Sequence, residues 1–352
     1  MVTFDAFLTT ARFPRYAEHE VLENAVAYAR AAERLGYTGV WITEHHFIPA
    51  IGVCPSSLTM AGFLLGHTQR LRVGTAVCIL PLYHPVHLAE QAALLDHLSN
   101  GRFDFGIGKG GFPRDRAVFG RTREDLHPIM CEALDVMLRA WTHDRVAADG
   151  DFVRFPFVTV YPRPHTRPHP PVYVVCQSRP TVELAARHGL PMMLSFTIDD
   201  DAKAAQVTLY RELAARYGHD PTAIDHACAV VGYVGNSRRE VEQVARPNIE
   251  RFFEANHDAE HLPDESGSGA GPGEHSVPRS AVRAFVAERT VRMLSFNPVG
   301  TAEQCVERLQ QIVERTGVRR FVVLCEFAVE RAAVLETLER FACEIMPNVE
   351  PA

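Results

Sequence analysis

The amino-acid sequence predicts a parallel (β/α)8 barrel, that is, a TIM barrel with insertions. Short apolar runs alternate with longer stretches of helical periodicity, eight such runs are present, and 352 residues suffice for eight β/α units. An open doubly wound sheet is the alternative, but it usually has fewer strands. The predicted strands span residues 4–8, 40–43, 71–80, 103–107, 172–176, 192–196, 227–234 and 321–325.

The helical stretches between these runs have recognisable ends. The first has apolar residues at helical spacing over residues 21–35, and Gly36 follows it as a C-terminal glycine. A second helical pattern covers residues 86–98 and stops before Asn100-Gly101. Thr301-Ala-Glu-Gln304 is a capping-box pattern, so we expect a helix to begin there. These ends support the predicted alternation of strands and helices.

Two insertions interrupt the alternation. Residues 149–171 contain an Asp-Gly turn between extended segments and then a Pro-rich connector, which predicts a β-hairpin before the fifth strand. Residues 257–280 are rich in Gly, Ser, Pro and acidic residues and predict a mobile loop. We expect the segment 257–290 to be a mobile lid, with a simple surface insertion as the alternative. No domain linker is visible, so residues 1–352 are predicted to form one domain.

The composition is that of a globular protein and narrows the classes of partner. The formal net charge is −7 and no basic block stands out, which argues against nucleic acid or an anionic membrane as a partner. No apolar run approaches the roughly 18 residues that a membrane span needs, and no secretory leader is visible. We therefore expect a cytoplasmic protein, in which the eight scattered cysteines are reduced thiols.

One predicted strand ends in ionisable residues. The apolar run 39–43 is followed by Glu44, His45 and His46. In a parallel barrel, residues at the carboxyl ends of strands form the active site, and histidine can transfer protons near neutral pH. A single imidazole in a turn means little in a chain with 17 histidines, so the triplet gains weight only together with other strand ends.

Two further motifs are rejected. Residues 106–111 match Gly-x-Gly-x-x-Gly, but a dinucleotide fingerprint needs an immediate helix, which we expect Phe112-Pro113-Arg114 to prevent. Pairs of histidines at 84 and 87 and at 165 and 169 lack the acidic or cysteine partners that metal sites gather. No metal site is therefore expected.

A phosphate site is predicted at the fifth strand. Ser178 precedes a helix whose first turn contains Pro180, and free N–H groups at a helix N-terminus bind anions. Lys109 and Arg179 add positive charge. The alternative is that Ser178 only caps the helix.

Several motifs along the chain together carry a resemblance to a known family. The sequence resembles the bacterial luciferase-like flavin monooxygenases along almost its whole length, most closely their catalytic α chains. The motifs include Trp41-x-x-Glu44-His45-His46-Phe47, Val73-Gly74-Thr75-Ala76, Ser99-x-Gly101-Arg102-Phe103, Val118-Phe119-Gly120 and Asn297-Pro298-Val299-Gly300-Thr301.

The resemblance implies a cofactor, a reaction and a set of site residues. It implies that the chain takes reduced FMN from a separate flavin reductase and reacts it with O2 to a flavin hydroperoxide. A small organic substrate is then oxidised, either an aldehyde or a natural-product intermediate. By position, the resemblance assigns His45 and Glu44 to catalysis, Ala76 and Val77 to a cis peptide beneath the flavin, Lys109, Gln177, Ser178 and Thr181 to FMN binding, and His46 and Phe196 to the substrate pocket.

The chain also departs from the family pattern near the flavin. Lys109 replaces an arginine, Gly108 a reactive cysteine, Gln177 a glutamate and Phe196 a tryptophan. These changes argue against a long-chain aldehyde as the substrate and against light emission as an activity. Two other functions remain open, a deazaflavin-dependent hydride transfer and a non-catalytic partner subunit. A homodimer is expected from the resemblance.

Overall fold

The computed structural model describes residues 1–261 and 279–351. Eight parallel strands close into a barrel in the order β1-β2-β3-β5-β8-β9-β10-β13, and β13 pairs with β1. The predicted (β/α)8 barrel is therefore confirmed. The strands are β1 (Thr3–Leu8), β2 (Gly39–Ile42), β3 (Arg72–Thr75), β4 (Cys78–Ile79), β5 (Phe103–Gly108), β6 (Val146–Asp149), β7 (Arg154–Val158), β8 (Val172–Cys176), β9 (Met192–Leu194), β10 (Ala227–Val231), β11 (Tyr233–Val234), β12 (Val299–Gly300) and β13 (Arg320–Leu324).

Helices pack around the barrel, and their ends follow the sequence signals. Gly36 adopts φ +84 just beyond the first helix, as a C-terminal glycine requires. The Thr301–Gln304 capping box is present, with Thr301 N donating to Gln304 Oε1 at 3.0 Å. The helices are α1 (Glu18–Arg34), α2 (Ser57–His67), α3 (Pro85–Leu98), α4 (Pro113–Val118), α5 (Leu126–Thr142), α6 (Arg179–Arg187), α7 (Asp200–Arg216), α8 (Arg238–His261), α9 (Arg279–Phe296), α10 (Ala302–Thr316) and α11 (Arg331–Arg340).

Two predicted strands are each divided in the structure. The run 71–80 forms β3 and β4, with the cis peptide Ala76–Val77 between them. The run 227–234 divides at Gly232, where a Cβ atom would lie 2.4 Å from Val323 Cγ1. The short strand β11 that follows leaves the barrel and pairs with β12.

The insertions agree with the sequence prediction only in part. Strands β6 and β7 form the predicted antiparallel hairpin. The predicted loop over residues 257–280 is wrong at its ends, because residues 257–261 end α8 and residues 279–280 begin α9. The lid stays a prediction. Buried Ala259 and Val286 pack these helices against neighbouring elements. Residues 262–278, the centre of the predicted lid, lie outside the described residues.

The expected block to helix formation after β5 is also wrong. Helix α4 begins at Pro113, directly after an extended Phe112. Proline is tolerated at the first helical position because the N–H that it lacks would have no partner there. This short helix turns the chain back across the loop that follows β2.

An ion-pair network fills the amino end of the barrel. Arg320 Nε donates to Asp5 Oδ2 at 2.7 Å, and Arg320 Nη2 donates to Asp104 Oδ2 at 3.0 Å. The guanidinium lies 5.2 Å from the ring centroid of Trp41 and 5.3 Å from that of Tyr173. Burial raises the pKa of Asp5, and the charge of Arg320 opposes that rise. Because these side chains are almost completely buried, this end of the barrel is filled.

The described residues contain free thiols and no helix suited to cross a membrane. None of the helices in residues 1–261 and 279–351 is long and apolar enough to cross a membrane. All eight cysteines are free thiols, and six of them are buried. Within the same ranges, no cluster of three or more His, Cys, Asp or Glu side chains could hold a metal ion.

Candidate functional site

Glu44 connects three segments at the carboxyl end of the barrel. Its Oε2 atom accepts hydrogen bonds from Ser57 Oγ at 2.9 Å and from Ser57 N at 3.3 Å. Its Oε1 atom accepts from Ile79 N at 3.4 Å. The side chain is only 2% exposed. Glu44 therefore holds the N-terminus of α2 and the strand after the cis peptide against the end of β2.

His45 is held by the loop that follows it. Its backbone N donates to Cys54 O at 2.9 Å, and its ring lies 6.0 Å from that of Phe112, centroid to centroid. Gly52 packs directly behind the ring. Burial, and then the neighbouring His46, lowers the pKa of His45 to about 4. The imidazole is therefore neutral at pH 7 and can accept a proton.

The strand ends next to this loop approach one another through glycine. The Ala76–Val77 peptide is cis, as predicted. A Cβ atom on Gly108 would lie 2.8 Å from Val77 Cγ2, and one on Gly106 would lie 1.8 Å from Thr75 O. Only glycine lets these backbones come so close. Val77 therefore occupies the space that a side chain at position 108 would need.

The predicted phosphate residues fall into two groups. Lys109 is exposed, and within the described part of the chain it has no hydrogen bond or ion pair. Thr181 is buried, and its hydroxyl accepts from Ser178 N at 3.2 Å and from Gln177 N at 3.3 Å. Thr181 thus orders the turn before α6. Gln177 is exposed and Ser178 is half-buried, so both remain accessible to a ligand.

His127 on α5 links Lys109 to α6, a relation that the sequence alone did not reveal. Burial lowers the pKa of His127, and the charges of Lys109 and Arg187 lower it further. Two cations from different segments therefore act on the same imidazole. The negative charge of Glu183 raises the pKa of His127, by less than the two cations lower it. The surroundings of Lys109 are positive on balance and suit an anion.

Phe196 lies at the end of β9 within an aromatic cluster. Its ring centroid is 6.1 Å from that of Phe7 and 6.0 Å from that of Phe252 on α8. Its carbonyl accepts a hydrogen bond from Asn297 Nδ2 at 3.1 Å. The predicted pocket residue is thus fixed between the barrel and the helix α8.

Two buried carboxyl groups near the strand ends were missed by the sequence analysis. Glu326 follows β13 and accepts hydrogen bonds from both the backbone N and the hydroxyl of Thr9, which fastens the end of β13 to the end of β1. Asp115 on α4 is 3% exposed, and burial raises its pKa to about 6. Its position between Arg114 and Arg116 is typical of a solvated turn, so only its closeness to the glycine-rich end of β5 could have drawn attention to it.

Comparison with known proteins decides the family. The sequence pattern of the luciferase-like monooxygenases matches residues 2–320. The alkanal monooxygenase alpha chain of the Kryptophanaron alfredi symbiont is 32% identical over 354 residues, which cover 99% of this chain and 98% of that relative. The chain belongs to the luciferase-like monooxygenase family. A beta chain of the same enzyme, from Photorhabdus laumondii, is 28% identical over 84% of this chain and 83% of its own length.

Solved structures extend the likeness of this luciferase-like monooxygenase to the fold. The monooxygenase RslO1 from Streptomyces bottropensis superposes with a TM-score of 0.84 at 24% identity, covering 98% of this chain and 99% of its own. The oxygenating constituent of 3,6-diketocamphane monooxygenase from Pseudomonas putida, in complex with FMN, has a TM-score of 0.78 at 18% identity over 100% and 99% of the two chains. An F420-dependent secondary alcohol dehydrogenase reaches 0.76 at 18% identity over 99% of both.

Proposed function

We propose that this chain is an FMN-dependent monooxygenase that takes reduced FMN from a separate flavin reductase. With O2 it oxidises a small organic substrate, an aldehyde or a natural-product intermediate. The observation that carries the proposal is the presence, at one end of the barrel, of a neutral imidazole, His45, and of Lys109, a cation that has no ion-pair partner in residues 1–261 and 279–351. Membership of the luciferase-like monooxygenase family supports the same reaction class.

The residues present suit FMN. Lys109, the hydroxyl of Ser178 and the N-terminus of α6 would hold the phosphate, because a cation, a hydroxyl donor and the positive end of the helix dipole stabilise an anion. Val77, which packs against the bare backbone of Gly108, would contact the flavin ring. When bound in its reduced form, FMN supplies the electrons that activate O2 for transfer of one oxygen atom to the substrate and reduction of the other to water.

His45 would accept and return a proton during this reaction. With a pKa of about 4, His45 keeps one ring nitrogen unprotonated at pH 7, so the ring is a weak base that accepts a proton from a stronger acid generated at the site. The backbone bond to Cys54 and the packing of Gly52 hold the ring in one place. Glu44 acts on His45 through the loop, since both of its oxygens are already occupied by backbone or hydroxyl donors.

Oxygen transfer gives a direct test. The purified chain is mixed with reduced FMN, ¹⁸O2 and a panel of aldehydes and aromatic polyketides, and the products are analysed by mass spectrometry. We expect one ¹⁸O atom in a product. We expect His45→Ala to lower the rate about 10²- to 10⁴-fold, the usual contribution of a proton-transfer group. His19→Ala, an exposed histidine on α1, is the control. An unchanged rate in His45→Ala would contradict the assignment.

The phosphate assignment has its own test. Lys109→Gln should weaken the binding of FMN and leave the binding of riboflavin, which has no phosphate, unchanged. Flavin fluorescence titration measures both affinities with the same protein. Equal weakening for the two ligands would show that Lys109 acts on the ring site or on the fold instead.

A deazaflavin-dependent hydride transfer is the second candidate. The likeness to an F420-dependent alcohol dehydrogenase favours it. In that case the chain would oxidise an alcohol with oxidised F420 and would show no dependence on O2. Anaerobic turnover with F420, together with no oxygen transfer with reduced FMN, would establish this candidate over the first.

The proposed enzyme is a homodimer. Helices α2 and α3 are neighbours and leave three large apolar side chains exposed, namely Phe63 (55%), Leu94 (48%) and Leu98 (72%). Large apolar side chains left exposed on two neighbouring helices are typical of a subunit interface. A related beta-like chain is the alternative partner, because relatives named as alpha and beta chains both match this sequence.

A further inference from the structure

Asp115 is a buried carboxyl group without a hydrogen-bond donor. It lies on α4, it is 3% exposed, and neither of its oxygens has a partner among the residues that the structure covers. His46 Nε2 is in the same condition, and its nearest carboxylate oxygen, Glu44 Oε1, is 3.6 Å away. Phe119 covers the His46 ring edge-on at 5.0 Å between centroids. Phe119 N donates to Asp115 O at 2.9 Å, so the ring that contacts His46 lies one helical turn beyond Asp115. Both side chains therefore border Phe119, and their three polar atoms have no hydrogen-bond partner among the described residues.

Such an arrangement is costly, and two other buried carboxylates, Glu44 and Glu326, avoid it. Glu44 receives three hydrogen bonds, and Glu326 receives two from Thr9. A buried polar group that lacks its hydrogen bonds lowers stability, and such groups concentrate at functional sites. The contrast indicates that Asp115 serves a purpose other than stability.

The charges around Asp115 are few. The charge of His46 lowers the pKa of Asp115, and the charge of Glu44 raises it. Arg116, on α4 itself, lowers this pKa by a smaller amount. Helix α8 also packs on α4, and its charged side chains Arg251, Glu254 and Asp258 line a separate cleft together with Arg114. Of the groups that act on Asp115, His46 has the largest effect after burial.

We propose that Asp115 and His46 together hold one exchangeable proton beside His45, with Asp115 as a positioning residue that acts through His46. This inference rests on the proposed function, since the proton would serve the flavin site. The carboxyl group gives its proton to a bridging oxygen, that oxygen passes a proton to the imidazole, and the return reverses both transfers. The two groups share no direct hydrogen bond, so one water molecule or a ligand hydroxyl would bridge them.

The effect of Asp115 on stability has a definite sign. Burial raises its pKa from 3.8 to about 6. A group whose pKa is raised on folding contributes stability below its unfolded pKa, and that contribution is lost as the pH rises through the folded value. The ionised carboxylate therefore weakens the folded state above about pH 6.

The first experiment uses the flavin-free protein. Asp115→Asn keeps the shape and removes the charge, so it should raise Tm by on the order of 5 °C at pH 8 and leave Tm nearly unchanged at pH 4. Asp151→Asn removes the same charge from an exposed turn and is the control. A purely structural Asp115 would give the opposite result, a lower Tm at both pH values, and would overturn the proposal.

The second experiment follows His46 by NMR, with its resonance assigned from His46→Gln. In Asp115→Asn the pH titration of the His46 resonance should move to lower pH, because a neighbouring carboxylate stabilises the imidazolium. Asp115→Glu, which retains the acid, should recover part of this shift. An unchanged midpoint in Asp115→Asn, or an equal shift in Asp151→Asn, would overturn the proposal. Both results stand apart from the proposed function, which fails instead if the wild-type chain does not bind FMN.

Discussion

Gly52 determines where the His45 ring can lie. A Cβ atom at this position would come within 2.7 Å of Thr9 O and 2.9 Å of His45 Cδ2. The carbonyl belongs to the backbone of the loop that follows β1 and cannot easily shift. The imidazole side chain is therefore the group that must move. The position of the proposed proton acceptor thus depends on a residue without a side chain.

Gly52→Ala should therefore impair the reaction more than the fold. We expect a loss of about 10²-fold in kcat, which is what a displacement of roughly 1 Å at a reacting group can cost. Steady-state kinetics and thermal melting measure the two effects. Gly66→Ala in α2 is the matched control, since nothing lies within 4 Å of its added methyl group. A kcat equal to that of the control would contradict the role of Gly52.

Val77 and Gly108 form a second pair at the residue scale. A methyl group on Gly108 would lie 2.8 Å from Val77 Cγ2, so Gly108→Ala should weaken flavin binding by pushing the valine out of place. Adding Val77→Ala should restore part of the affinity, because the smaller side chain frees that space. A flavin titration of the two single variants and the double variant tests this coupling. Strict additivity of the two effects would speak against it.

At the scale of elements, Glu44 connects β2, α2 and β4. Glu44→Ala should lower the free energy of unfolding by about 2–4 kcal/mol, because it leaves Ser57 and Ile79 N–H groups buried without an acceptor. Glu44→Gln keeps one acceptor oxygen and should cost less. Urea denaturation gives the values. Glu90→Ala, a half-exposed glutamate on α3, should change stability by less than about 0.5 kcal/mol.

The elements also show how far the sequence could predict the structure. The strand ends that carry His45 and Lys109 were predicted because an apolar run followed by polar residues is visible in the sequence alone. The helix α4 was not expected, since the tolerance for Pro113 depends on its exact place at the first turn. Asp115 and His127 were missed because their burial depends on tertiary packing, of α4 against α8 and of α5 against α3 and α6.

For the whole molecule, the apolar face of α2 and α3 predicts self-association. Leu94→Arg places a charge in this face and should convert a dimer into a monomer, since burying an unpaired charge is costly. Sedimentation velocity measures the change. Val291→Arg on α9, where the native side chain is 54% exposed, is the matched control and should leave the dimer intact. A wild-type chain that sediments as a monomer at micromolar concentration would refute the homodimer.

The buried Arg320 network affects where ligands can enter and leave the barrel. Asp5 and Asp104 are buried around the guanidinium, so the described side chains fill the amino end of the barrel. In the proposed reaction, cofactor, oxygen, substrate and product would then share the opening at the carboxyl end. Binding and release would then be ordered, because a molecule bound near the opening blocks any molecule bound deeper in the barrel. An organic substrate that binds before the flavin would block flavin binding and inhibit the enzyme. The order of binding would therefore affect turnover as much as the chemical steps do.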